Sequence, residues 1–242
     1  MTGYLLAALA LLPLTAEAQD ASATIKAAEY ALGMIRGAQR VDAVNTLEYW
    51  GTGSVTYHAS VSYAVPAMRV EVTRGNQRQI QVVSGAYSWN ESVPGAGFIP
   101  NSTATPAPDS LKARLLELWT TPFGALKMAE RAGTNAKVTR EGGVTVITFP
   151  LTGELSDITL KATLNSKNQL ERVETGRIEI SYSDYKDLGE ITSDVLFPTH
   201  IVQKQGGATV LDLTVTKVDA NNPYVVFPVP EVVEKAPPAR SR

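Results

Sequence analysis

Side chains that alternate in polarity at every second residue constrain this chain more than any other feature. Val55, Tyr57, Ala59, Val61 and Tyr63 are separated by Thr56, His58, Ser60 and Ser62. Successive side chains of a strand point to opposite faces, so this run predicts a half-buried strand, apolar on one side. Met68, Val70 and Val72 alternate with Arg69, Glu71 and Thr73 in the same way. Gly75-Asn76 then turns the chain into a run where Ile80 and Val82 share a face, and a short run at Ala86 to Asn90 carries Trp89. Adjacent runs joined by tight turns describe an antiparallel meander.

The pattern returns over residues 137–140, 143–149, 157–164, 169–175, 178–185, 195–204 and 209–218. Gly142-Gly143, Asn165 to Asn168 and Gly206-Gly207 read as hairpin turns. Counted over the chain, the alternation predicts about eleven strands. An antiparallel sheet that large curls or closes, because either course relieves its exposed edges. The expected fold class is therefore mainly β (α+β). It is a strongly curved antiparallel sheet forming a half-open barrel, with helices over its concave face.

Three helices are predicted in two places. Ser22 or Thr24 caps a first helix running to about Gly37, with Ile25, Ala28, Leu32 and Ile35 on one face. Asp109 or Ser110 caps a second, in which Leu111, Leu115 and Leu118 recur at helical spacing. Pro122 at the first position restarts a third, which Phe123 and Leu126 make amphipathic and Gly133 ends. Residues 91–109 read as one long loop, rich in Pro, Gly, Ser and Thr. From Phe227 the chain is Pro-rich and charged, and reads as a mobile tail or linker.

The N-terminal residues read as a separate unit. Leu5 to Leu14 is an apolar run too short to span a bilayer, and Ala16-Glu17-Ala18 is a small-x-small cleavage site before Gln19. No Lys or Arg precedes the run, so one element of a secretory signal is missing. The expectation is a signal peptide at 1–18, a single domain at 19–222 and a Pro-rich C-terminal tail at 223–242. The chain contains no Cys, which leaves neither disulfides nor a lipid-bearing N-terminal Cys. A periplasmic, non-lipidated protein without a transmembrane helix in its mature form is expected. The 22 basic and 24 acidic residues are interspersed, leaving no electrostatic footprint for nucleic acid.

Candidates for catalysis are few. His58 and His200 are the whole histidine supply, and neither lies in an H-x-H or H-E-x-x-H spacing. His58 falls on the polar face of its strand, where a solvated or cross-strand role is expected; His200 follows Pro198-Thr199 and reads as structural. Gly51-Thr52-Gly53-Ser54 and Gly85-Ala86-Tyr87-Ser88 both fail the G-x-S-x-G elbow of a serine hydrolase. Asp184 and Asp187 read as a solvated turn. No catalytic residue, metal or cofactor is expected. The aromatic set, Trp50, Trp89, Trp119 and Phe123, is core material, some of which could line a cavity. The best-placed positions, beside the long loop and helix pair, are Trp89, Leu115, Trp119, Phe123 and Leu126.

Several local features together resemble the periplasmic lipoprotein-localisation carriers and their relatives. They are the opening helix, the strand carrying Gly51-Thr52-Gly53, the Pro66–Val70 strand and the Trp89-Asn90 run. The Leu118-Trp119-Thr120-Thr121-Pro122 junction and the block from Tyr182-x-x-Tyr185 to Pro198-Thr199-His200 complete them. The similarity spans about residues 22–222. It is closer still to a variant of that domain placed before metallo-β-lactamase-fold hydrolase domains, whose metal-binding HxHxDH segment this sequence lacks. The resemblance implies a half-open barrel lidded by helices around an apolar cavity. It also implies transient binding of acyl chains or another apolar ligand. The expected function is an exported, non-enzymatic carrier or binding protein for a lipid, lipoprotein acyl chain or other amphipathic ligand. A lipoprotein or other envelope protein is the expected partner class. An accessory module for a separately encoded metallo-β-lactamase-fold hydrolase is the alternative, and a serine-type hydrolase the third reading.

Overall fold

A computed structural model describes residues 21–36, 41–42, 44–188 and 195–237. The signal-peptide expectation falls on residues outside these. The N-terminal helix α1 (Ala21–Ala31) leads into two short paired strands, β1 (Ile35–Arg36) and β2 (Val41–Asp42). A first meander follows: β3 (Thr46–Gly53), β4 (Thr56–Ser62), β5 (Ala67–Arg74), β6 (Gln77–Ser84), β7 (Tyr87–Glu91) and β8 (Ala104–Pro106). The helix pair α2 (Leu111–Thr120) and α3 (Pro122–Ala132) comes next. The second meander is β9 (Lys137–Glu141), β10 (Val144–Pro150), β11 (Thr159–Leu164), β12 (Leu170–Thr175), β13 (Ile178–Asp187), β14 (Leu196–Gln205) and β15 (Ala208–Ala220). A one-turn helix α4 (Glu231–Glu234) lies near the end of the chain.

Strands β3 to β15 form one open sheet of 13 strands in the order β8-β7-β6-β5-β4-β3-β15-β14-β13-β12-β11-β10-β9, antiparallel throughout. Every neighbour in the sheet is a neighbour in sequence except one pair. The last strand, β15, lies beside the first, β3, with Leu47 opposite Ala220 and Gly53 opposite Leu213. That single long-range pairing joins the two meanders into one sheet. A Cβ at Gly53 would lie 2.2 Å from the Asp212 carbonyl oxygen, so the close approach of β15 requires glycine there.

Alternation divides the sheet into two faces. Tyr49, Tyr57, Ala59, Val61, Met68, Val83, Phe149, Leu160, Phe197 and Leu213 belong to the main core. Helices α1, α2 and α3 cover that face: α3 packs on α1 and β10, and α2 on β5 and β6. The opposite face carries a smaller cluster of Ile80, Val82, Trp89, Ala96, Ala104 and Val233.

Five points add to or change these expectations. The alternation of Leu47 and Tyr49 with Glu48 and Trp50 makes β3 a full strand, and residues 104–106 add β8 inside the predicted loop. The first helix ends at Ala31, because Gly33 takes a left-handed conformation (φ 69°) and Ile35 begins a strand. Asp184 and Asp187 lie within β13 and not in a turn. The Pro-rich segment packs as a strap across the second face. Val233 is buried there, Phe227 and Val229 pack against the small cluster, and Ser84 donates a hydrogen bond to the Phe227 carbonyl at 3.1 Å.

Candidate functional site

Four of the five sequence-predicted cavity residues come together under the helices. Leu115, Trp119, Phe123 and Leu126 are all buried in the main core, Phe123 and Leu126 completely. Phe123 meets Phe197 edge-on at 5.8 Å between ring centroids, and Phe197 in turn packs on Tyr49 at 5.1 Å. Trp89 does not join them. It points from β7 to the opposite face, beneath the strap, where its Nε1 donates to Glu91 at 3.0 Å. The reason is parity: Trp89 stands opposite Val82, and Val82 faces away from Val83, which belongs to the main core.

The helix-covered face carries the main apolar core, but it is not wholly apolar. Tyrosine hydroxyls reach up from the strands and meet polar groups of the helix pair. Tyr63 pairs with the Thr121 hydroxyl at 3.0 Å, and Tyr182 donates to the Thr120 carbonyl. Tyr49 and Tyr57 share a hydrogen at 3.4 Å, and Tyr57 donates to Glu117 Oε1 at 3.3 Å. Buried phenols find partners because an unpaired hydroxyl in an apolar core is costly. Sequence reasoning missed this network. Its signal was there: three tyrosines, Tyr49, Tyr57 and Tyr63, on inward-facing positions of consecutive segments.

The junction between the helices is tightly built. Thr121 caps α3 by accepting from the Gly124 N–H at 3.2 Å, while its own hydroxyl can donate to the Leu118 carbonyl at 2.7 Å. A Cβ at Gly124 would fall 2.4 Å from that same carbonyl, so only glycine allows the two helices to meet so closely. Arg131 closes the far side, lying over the Trp119 ring at 4.9 Å and donating to the Tyr63 carbonyl at 3.2 Å.

The inner side of α2 is different. Arg114 is buried and donates to the carbonyls of Val82 (3.0 Å) and Trp89 and to Asn90 Oδ1 (2.6 Å), yet its Nε–H has no hydrogen-bond partner among the described residues. One turn on, Glu117 is half-buried, and burial pushes its carboxyl up, against the pull of Tyr57 and Arg114. Between them and the sheet lies a narrow gap, lined by Met68, Val70, Gln81, Val83, Arg114 and Glu117 and too tight for a water-sized sphere. The gap marks the seam between α2 and strands β5 and β6.

The opposite face holds the histidine. His58 stacks on Trp50 at 4.5 Å, with Lys217 over the same ring at 4.7 Å. Its Nδ1 meets Glu71 and its Nε2 meets Glu48, each at 3.2 Å. Burial opposes the charged ring, but the hydrogen bonds to the two carboxylates outweigh it and raise the His58 pKa. The same pairing with His58 lowers Glu48, and it holds Glu71 at about 2 with help from Arg78. Ser60 lies 3.4 Å from His58 Nε2, so Ser60, His58 and Glu71 have the connectivity of a catalytic triad. The chemistry does not follow. Ser60 gives its hydrogen to Glu48 at 2.9 Å, and a ring whose two nitrogens both face carboxylates offers the serine no free acceptor. His58 is the cross-strand ladder that its strand position suggested. His200 is half-exposed and meets only Asp212, at 3.0 Å. Among the described residues no group of three or more His, Cys, Asp or Glu is arranged to hold a metal ion, and no helix is long and apolar enough to cross a membrane.

Two surface pockets flank the strap. One of about 410 Å³ is lined by Tyr87, Pro106, Leu111, Glu154, Val233 and Pro237; the other, about 390 Å³, by Val65, Ala67, Ser84, Val226 and Phe227 among others. In comparisons with known proteins, no family model matches the chain and no curated protein matches it in sequence.

Proposed function

We propose that this protein is an exported, non-enzymatic carrier that shelters the apolar part of an amphipathic ligand, a lipid or a lipoprotein acyl chain, between its sheet and its helix pair. In this reading the sheet curls into a half-open barrel and α2 is the movable part of its lid. The observation that carries it is the seam under α2, where a buried guanidinium and a half-buried carboxyl border an apolar floor of Met68, Val70 and Val83.

Support for the curl comes from Tyr63 and Tyr182. Tyr63 follows β4, and β4 and β13 are four strand positions apart, about 19 Å in a flat sheet. Yet the two hydroxyls converge on consecutive residues, Thr121 and Thr120. A sheet wrapped around the helix junction brings them there. Support for the lid comes from the composition of the contact. Opening α2 exposes an apolar wall that a chain of methylenes can replace, each buried CH₂ contributing about 0.8 kcal/mol. The reading is tested by native mass spectrometry of protein purified from its host envelope, together with titration by a fluorescent long-chain fatty acid. Bound lipid or saturable uptake is expected; apo protein that takes up no probe contradicts it.

A second reading, a docking module for a separate envelope protein or hydrolase, is favoured by one observation. Pockets of about 410 and 390 Å³ lie on the outer surface, on either side of the strap, the second beside exposed Val65 and Val226. Capture of one stable partner from envelope extract, lost on Val226→Asp, would favour it over the carrier.

A further inference from the structure

We infer that the seam beneath α2 selects for anionic amphiphiles, with Arg114 as the residue that receives the head group. The inference rests on the carrier reading above and adds the chemistry of the ligand. Arg114 is buried, and its three hydrogen bonds go to two backbone carbonyls and one side-chain amide, all of them uncharged acceptors. Its Nε–H meets no acceptor among the described residues. A buried cation without a direct counter-ion and with one donor unused is costly. A carboxylate or phosphate arriving between α2 and the sheet supplies both missing elements: a negative charge and an acceptor for the Nε–H. The apolar floor next to it, Met68, Val70 and Val83, is where the first carbons of the chain would lie.

Glu117 then acts as the competitor. It sits on the same helix face as Arg114 and borders the same gap. Facing it are the hydroxyl of Tyr57 from β4, with Tyr49 behind it on β3, and the neutral amide of Gln81 from β6; β5 contributes only Met68 and Val70. Of the charged groups of α3, Lys127 and Arg131 are turned to the rings of Tyr63 and Trp119, and Glu130 is exposed to solvent. With Glu117 neutral, the seam presents the Arg114 charge alone. With Glu117 ionised, that charge is offset and an incoming anion is repelled. Burial favours the neutral form, so the seam is open to anions over a wider pH range than an ordinary carboxylate would allow.

The test compares four twelve-carbon probes below their micellar concentrations, by calorimetry with the full chain: dodecanoate, dodecyl phosphate, dodecanol and dodecyltrimethylammonium. The two anions are expected to bind at least tenfold more tightly than the alcohol, with the cation weakest; the ratio of carboxylate to phosphate identifies which head group the seam prefers. Glu117→Gln should tighten dodecyl phosphate several-fold at pH 8 and flatten the fall in its affinity as pH rises. Arg114→Gln should erase the preference for anions over dodecanol, and circular dichroism with a melting curve checks that it folds. Should Arg114→Gln fail to fold, the Glu117→Gln comparison decides alone. Equal affinity for the anions and the alcohol, or a preference for the cation, overturns the anion inference and leaves the carrier standing. No binding of any of the four overturns both.

Discussion

Helices α2 and α3 meet at a single tight corner, yet they are attached to the sheet in different ways. In α3, nine of eleven residues are buried, from Pro122 and Phe123 through Met128 and Ala129 to Ala132. In α2, five of ten are, and one of those is Arg114. The first is held by apolar area, which is lost only by opening the core. The second also buries Leu115, Leu118 and Trp119, but its edge over β5 and β6 is held by hydrogen bonds from Arg114 and by one phenol–carboxyl contact, each worth about 1–3 kcal/mol and each replaceable by water. The same sheet therefore carries an anchor and a seam, side by side. Regions that open at low free energy are those with fewer buried side chains, and of the two helices α2 is the candidate by that measure.

The sharpest way to break the contrast is to damage the anchor. Phe123→Ala should cost about 3–5 kcal/mol of unfolding free energy, because a fully enclosed ring leaves a cavity among Phe197, Tyr49 and their neighbours. Urea denaturation reads this directly; a loss under about 1 kcal/mol would place α3 in the same class as α2. Leu115→Ala, on α2, should cost less, about 2 kcal/mol at the lower end for such substitutions, since its side chain retains some exposure. Its larger effect should be kinetic: faster uptake of a fluorescent fatty acid, measured by stopped flow. Tyr182→Phe removes one pin from the corner, and a stability loss of about 1 kcal/mol is expected from the same denaturation curves.

The smallest effects are pH slopes, and they separate the two faces. On the helix-covered face, Glu117 has a raised pKa in the fold. The unfolded chain ionises first, so Glu117 stabilises most below the ordinary carboxylate range, and stability is lost as pH rises through its folded value. On the other face the signs differ. Glu71 is depressed to about 2, so its contribution is present above the ordinary carboxylate range and lost as pH falls through about 2. His58 is raised, so its contribution is full below the ordinary imidazole value and lost as pH rises through the folded one. Thermal melts across pH should show His58→Gln removing a decline that begins at the ordinary imidazole value, and Glu117→Gln removing one that begins at lower pH. Identical profiles for both variants would refute this division of the faces.

Much of the fold was legible because burial on one face imposes a period of two. The strands from Lys137 to Ala220 follow their alternation to within a few residues, and Pro122 and Gly133 mark the ends of α3 as local rules require. The pairing of β3 with β15 was not legible, since no local rule links residues 47 and 220. Trp89 shows a subtler limit. Alternation says that Tyr87, Trp89 and Glu91 share a face, but not which face, and the inner side is decided by the register with β6. The strap was hidden for the opposite reason: proline and charge in its composition outweighed three apolar residues, Phe227, Val229 and Val233, that find a groove only after the sheet has formed. Nothing in the helical spacing marks Arg114 and Glu117 as inward, and only the carbonyls of Val82 and Trp89 and the hydroxyl of Tyr57 reveal that they face the sheet.

Backbone amide hydrogen exchange on the full chain, followed by mass spectrometry with and without dodecyl phosphate, tests the difference between seam and anchor most directly. The account predicts that α2 exchanges through a local opening while α3 exchanges only with the core strands. It also predicts that ligand slows exchange in α2, β5 and β6 before any other element. Helices that exchange together at the rate of global unfolding, with no ligand-dependent change along the seam, would contradict it.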